Sequence, residues 1–188
     1  MSFVVVYDAC VLYPAPLRDL LVRLGRTGLF QAKWTGQILD ECFRSILQQR
    51  PDLTPQRLER TRKLLNEAIP DCDVTGHEGL VASLTGLPDP DDRHVVAAAI
   101  RCGAQVIVTS NLKDFPSAAL AHYGIEAQHP DDFVMYLLDL DPALVARIIR
   151  EQAAALKTPA RTVAELLETL LLNELFRTVA RLREVVDR

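Results

Sequence analysis

Aromatic residues make up only 6% of this 188-residue chain, and its 8 glycines and 11 prolines form no tract, which excludes collagen-like and low-complexity architectures. The strongly apolar runs, at residues 3–7, 95–100 and 170–172 with their neighbours, fall far short of the ~20 residues that cross a bilayer. No membrane helix is expected. Met1 is followed by no basic stretch and no small-residue cleavage site, so a secretory signal is not expected and the cytoplasm is the expected compartment. Cys10, Cys42, Cys72 and Cys102 stand roughly thirty residues apart without a CxxC pair, which suits neither a zinc knuckle nor a disulfide scaffold. They read as reduced thiols. A Gly-rich phosphate loop and a Gly-x-Ser-x-Gly elbow are absent, and His77, His94, His122 and His129 share no ligand spacing.

What remains is ordinary: 49% hydrophobic and 24% charged residues, with 21 Lys+Arg against 25 Asp+Glu for a net charge of −4. That composition builds one soluble core with a small appendage. The β-branched and aromatic run Phe3-Val4-Val5-Val6-Tyr7, broken by Tyr13-Pro14-Ala15-Pro16, predicts a buried strand and then a loop. Leu17, Leu20, Leu21 and Leu24 repeat at helical spacing, as do Ile38, Leu39, Cys42, Phe43, Ile46 and Leu47, with a short segment at residues 32–34 between the two helices. Thr54-Pro55 caps a further helix running to Ala68 with Leu58, Leu64 and Leu65 inward. Asp89-Pro90-Asp91-Asp92 opens a helix ended by Gly103, residues 105–109 give a second buried strand, and residues 125–128 a third. Alternation of this kind predicts an α/β sandwich around a parallel sheet. From Asp141 no strand pattern remains, so residues 1–140 are expected as the α/β domain and 141–188 as a helical extension, with one helix over 142–156 and another from Thr162 to about Val186.

Acidic residues gather where parallel sheets place active sites, beyond strand ends and at helix starts: Asp8, the group Asp89, Asp91 and Asp92, and Asp114. Converging carboxylates repel one another, and hard oxygen donors are what Mg²⁺ or Mn²⁺ seeks. Such an ion acidifies water and neutralises phosphate, which points to phosphodiester hydrolysis. Each acid also has a plainer role. Asp91 and Asp92 suit a helix N-terminus, Asn111 and Asp114 suit a turn, and Glu41 points away from the Ile38/Cys42/Ile46 stripe, so periodicity alone places it in solvent.

Taken in order, Val4-Val5-Val6-Tyr7-Asp8-Ala9-Cys10, Ile38-Leu39-Asp40-Glu41, Asp92-Arg93-His94-Val95-Val96-Ala97-Ala98-Ala99 and Val108-Thr109-Ser110-Asn111-Leu112-Lys113-Asp114-Phe115 resemble the four acidic motifs of the PIN-domain nucleases. The resemblance covers residues 3 to 138. It implies a three-layer α/β/α sandwich with a central parallel sheet plus C-terminal helices, a Mg²⁺ or Mn²⁺ site, and endoribonuclease activity selective for single strands. By the same resemblance Asp8, Glu41, Asp92 and Asp114 form the catalytic quartet, Asn111 and Thr109 support it, and Asp89 and Asp91 are extra ligands or caps. VapC-type toxins are small members of the family, some with a helical C-terminal extension, so an RNA substrate, a small antitoxin partner and a homodimer are implied. A PIN module that has lost catalysis and only binds RNA or protein, or one that processes RNA as a housekeeping enzyme, is the alternative. An aspartyl-phosphate protein would leave Glu41 and the Asp92 helix without roles.

An acidic protein must still accept a polyanion. Residues 1–140 carry 13 basic and 18 acidic side chains, and residues 141–188 carry 8 and 7. Setting aside the six carboxylates named above leaves the first segment with one positive charge in excess, so the acidity is largely the site itself. Lys113 and Arg93 flank that site and are the expected phosphate contacts, whereas Arg57, Arg60, Arg62 and Lys63 read as a solvated helix face.

Overall fold

The computed structural model describes residues 3–186. The chain opens with β1 (Phe3–Tyr7), α1 (Ala9–Leu12), α2 (Ala15–Gly25), β2 (Phe30–Lys33), α3 (Gly36–Gln49), α4 (Pro55–Ala68) and α5 (Glu78–Val81). A 3-10 turn, Pro90–Asp92, leads into α6 (Arg93–Cys102), then β3 (Val106–Val108), a second turn at Leu112–Asp114, α7 (Ser117–Leu120), a third turn at Ala121–Tyr123 and β4 (Glu126–Gln128). After that come helices alone: α8 (Pro130–Leu140), α9 (Pro142–Ala155), α10 (Val163–Leu171) and α11 (Phe176–Val186).

All four strands run parallel in the order β2-β1-β3-β4. Val5 therefore faces Ala32 on one side and Val106 on the other. A strand buried on both faces must be apolar throughout, and Val5, Val6, Tyr7, Ile107 and Val108 are indeed wholly enclosed. With helices flanking the sheet, the protein is the α/β/α sandwich that the resemblance implies. The chain first adds β2 on one side of β1 and later β3 on the other, so the strand order reverses between β1 and β3. Crevices open at such a reversal, outside the carboxyl ends of the strands.

Local chemistry explains where the elements stop and start. Thr35 and Thr54 accept from the backbone N–H of Ile38 and Arg57 and so cap α3 and α4. Gly103 ends α6 with φ 66°, a conformation costly for any residue with a Cβ, and Ala104 N–H closes back on Ala99 O at 2.8 Å. Trp34 is fully buried, stacks on Tyr7 at 6.3 Å between ring centroids and donates its indole N–H to Asn66.

Three expectations need correction. Leu64 does not point inward: it is 54% exposed, while Leu58 and Leu65 bury the apolar face of α4. The short segment expected at residues 32–34 is the end of an edge strand, Phe30–Lys33, whose four-residue alternation is too brief to stand out in the sequence. The final helix is two. Glu174 takes a left-handed φ of 63° between α10 and α11, and the leucine-rich run splits accordingly, with Leu170 and Leu175 buried and Leu172 86% exposed.

The helices after Asp141 are built onto the body. α9 and α10 pack on α2, and α11 packs on α8 and α9. Asp131, buried in the first turn of α8, accepts from the backbone N–H groups of Arg177 and Thr178 at 2.9 and 2.8 Å and so supplies the N-terminal cap of α11 from 46 residues away. Gln152 reaches from α9 to the carbonyl of Pro16 at 2.8 Å. Among the described residues no helix is long and apolar enough to cross a membrane.

Candidate active site

Asp8 stands at the carboxyl end of β1, at the reversal point, and is 6% exposed. Its Oδ1 accepts from Ala9 N–H at 2.6 Å, and its Oδ2 accepts from the Thr109 hydroxyl at 2.7 Å and from the Cys10 thiol at 3.1 Å. A carboxylate oxygen has two acceptor positions. Oδ2 is therefore saturated, and Oδ1 keeps one lone pair. Thr109, wholly buried at the end of β3, also accepts from Asn111 N–H, and Cys10 accepts from Ser110 N–H at 3.3 Å. Burial, and after it the Asp8 charge, pushes the Cys10 thiol up to about 12, so it stays protonated and donating.

Asp92 ends the 3-10 turn before α6. It makes no capping bond, and its Oδ2 is buried with no hydrogen-bond partner. Single oxygens of Asp89, Asp92 and Asp114 lie within 4.8 Å of one another. Burial, followed by the charges of Asp8, Asp89 and Asp114, raises the Asp92 carboxyl to about 6. Asp114 is held by the Asn111 side-chain amide. Asp89 also accepts from Asp91 N–H at 2.9 Å, whereas Asp91 itself is exposed and lies outside the triad.

Glu41 arrives from α3. Its Oε1 lies 2.8 Å from His94 Nε2, in contact but without hydrogen-bond alignment, and 3.4 Å from the amide of Gln37. His94 is 2% exposed, and neither ring nitrogen has an aligned partner. Asp8, Glu41, Asp92 and Asn111 line one open cleft of about 420 Å³. A hollow of equal volume over Leu84, Val96 and Tyr123 has no acidic lining, so size does not mark the site and chemistry does.

Four segments distant in sequence thus bring carboxylates to one place. Of the residues expected there, Asp89, Asp92 and Asp114 form the tight triad, Asp8 and Glu41 stand outside it on the same cleft, and Asp91 is not brought in. Lys113 is exposed next to Asp114, and Arg93 is half-buried with an unpartnered Nε. Arg62 is engaged with Asp40 and Glu59 and lies over the Phe43 ring. Cys10 is a member that its reading as an ordinary thiol missed. The donor set is oxygen only, mutually repelling and left with an orphaned buried atom, which suits a hard divalent cation.

Comparison with known proteins gives two family matches: the PIN domain over residues 4–113 and the VapC50 C-terminal domain over residues 130–184. The first match ends one residue before Asp114. A Mycobacterium tuberculosis protein named "Putative ribonuclease VapC50" is 43% identical over 95 residues, which are 50% of this chain and 55% of that protein. The chain thus spans about half the length of this curated relative. No solved structure matches.

Proposed function

Because the chain belongs to the PIN-domain family, we propose that it is a divalent-cation-dependent endoribonuclease that cuts single-stranded RNA, acting as the toxin of a VapC-type toxin–antitoxin pair. The observation that carries this reading is the crowding at Asp92: a carboxyl raised to about 6 by burial and three neighbouring acids, with one oxygen buried and unpaired. A protein gains nothing in stability from such an arrangement, and a cation relieves it.

We assign Asp8, Glu41, Asp92 and Asp114 to hold Mg²⁺ or Mn²⁺, with Asp89 as a further ligand and Asp91 left to its turn. Bound there, the ion would acidify a water and neutralise phosphate charge. The chain's own residues fix the donors. Thr109 and Cys10 occupy Asp8 Oδ2 so that Oδ1 is the atom offered, and Asn111 orients Asp114. His94 keeps Glu41 turned toward the cleft from a helix face that would otherwise be solvated. Lys113 and Arg93 are assigned to the RNA phosphates next to the cut. Residues 141–188 are assigned as a helical extension of the domain at 1–140, and a small antitoxin and a second copy of the chain as its protein partners.

Incubating the protein with single-stranded and structured RNA tests the reading. We expect cleavage of single strands with Mn²⁺, none with EDTA, and about a hundredfold slower cleavage by Asp8→Asn. Cleavage in EDTA, or an Asp8→Asn variant as active as the parent, refutes it. A folded parent that binds RNA without cutting it would identify a binding module.

A further inference from the structure

The cleft continues past its carboxylates. From Glu41 the lining follows α3 to Ser45 and Gln49, with Tyr13 also lining it. Positions four and eight residues on from Glu41 share one helix face, and at 1.5 Å per residue Gln49 lies about 12 Å along the axis. The outer half formed by Tyr13, Ser45 and Gln49 carries no formal charge. Neighbouring cations are engaged elsewhere, Arg50 with Asp52 and Arg18 with backbone carbonyls, so a flat, neutral, hydrogen-bonding group finds the better partners there.

These partners are already organised. The Tyr13 hydroxyl donates to Gln49 Oε1 at 2.6 Å and ties the end of α1 to the end of α3. Beneath it, Arg18 donates to the carbonyls of Leu12 and Tyr13 at 2.7 and 3.3 Å, which fixes the backbone that carries the ring. The aromatic core lies elsewhere: Tyr7, Phe30 and Phe133 pack edge to face on one another, and Tyr13 is half-buried on the cleft wall. With one Oε1 lone pair taken, the Gln49 amide is held with both Nε2 hydrogens and a second Oε1 lone pair free. An amide in that state meets a donor and an acceptor on one base edge, the pairing that glutamine makes with adenine. Unpaired RNA bases are read in this way, against aromatic rings.

We propose that Tyr13, Ser45 and Gln49 form a nucleobase subsite that takes an unpaired base, adenine in preference, from a nucleotide adjoining the phosphate at the carboxylate end. The proposal rests on the ribonuclease reading and adds sequence choice to it. Gln49 and Ser45 are exposed and at or near the end of α3, and Tyr13→Phe removes a single hydroxyl, so the variants needed to test it keep the fold.

The experiment has two arms. In the first, a randomised single-stranded RNA pool is digested with Mn²⁺ by the parent, Gln49→Ala, Tyr13→Phe and Ser45→Ala, and the cut ends are sequenced. Enrichment is a ratio within one digest and is independent of total rate. The parent should enrich adenine at one fixed position beside the cut, and Gln49→Ala should lower that enrichment about tenfold, with a smaller loss in Tyr13→Phe and Ser45→Ala. In the second, fluorescent tetra-adenylate and tetra-uridylate are titrated in Ca²⁺, which neutralises the carboxylates. The parent should favour adenylate about tenfold, and Gln49→Ala should bind the two alike. Cleavage with a base preference untouched in Gln49→Ala, or with none in the parent, overturns the subsite and spares the nuclease. Discriminating binding without cleavage overturns the nuclease and retains the subsite. Equal binding of both oligonucleotides by the parent overturns the subsite in either case.

Discussion

Replacing Asp92 by Asn should make the cation-free protein more stable, although it removes a residue assigned to the centre of the site. Asp92 forms no side-chain hydrogen bond that Asn would forfeit. What it does is repel Asp89 and Asp114, whose oxygens lie within 4.8 Å. Two unit charges at that distance interact with about 3.5 kcal/mol at an effective dielectric of 20 and about 0.9 kcal/mol in water. Asp92 is itself partly buried, but Asp89 is exposed and the cleft between them is open to solvent, so the lower figure governs. With two such neighbours the expected gain is about 1–2 kcal/mol, or a few degrees in Tm for a chain of this length. The pH dependence fixes the sign. Asp92 is raised from 3.8 to about 6 in the fold, so the folded state holds a proton that the unfolded state has lost, and stability contributed by this group falls as pH rises across that interval. The advantage of Asp92→Asn should therefore be full above about pH 6 and vanish below pH 3.8. Thermal melts in EDTA at several pH values measure it, and Mn²⁺ should raise Tm in the parent far more than in the variant. A variant less stable than the parent in EDTA at neutral pH, or a gain of equal size at all pH values, refutes the reasoning.

Other substitutions probe the supports. Thr109→Val removes a donor to Asp8 Oδ2 and should weaken Mn²⁺ binding about tenfold by calorimetry, while Thr109→Ser should keep it. Asp131→Ala strips the buried cap from α11 and should cost about 2–3 kcal/mol in urea unfolding, against a partial loss for Asp131→Asn. Gly103→Ala meets no neighbouring atom but forces a Cβ into a left-handed conformation, and should cost about 1 kcal/mol in the same assay.

Asp8 and the strand that presents it could be read directly, because a five-residue apolar run ending in an acid has few meanings in a parallel sheet. Glu41 could not. Its helix buries Ile38, Cys42 and Ile46, and the neighbouring stripe of Glu41, Ser45 and Gln49 has the polar spacing of a solvated face, although in the fold it looks into a cleft. Periodicity tells which side faces the core and cannot tell water from a crevice. The signal that could have helped is His94, a titratable residue inside the otherwise apolar start of α6. The choice between Asp89 and Asp91 also escaped the sequence, since both precede the same helix. Both are exposed, but the three-residue turn brings a carboxylate oxygen of Asp89 to the triad and leaves Asp91 outside it, and that depends on the turn's φ and ψ and not on residue type. The break at Glu174 was hidden for a related reason: a run of leucines covering several faces has no phase from which to detect an interruption.

The Asp8–Thr109 hydrogen bond spans 101 positions. At a synthesis rate of roughly 5–20 residues per second, Asp8 leaves the ribosome some 5–20 s before the hydroxyl that will fix it. β1 gains β2 early but must wait for β3, and the triad closes only once Asp114 has been made. A growing polypeptide therefore carries no complete acidic cluster until that point. On the ribonuclease reading proposed above, the nascent chain stays inactive until translation of the α/β body is nearly over, and a partner made beforehand has that interval in which to meet it.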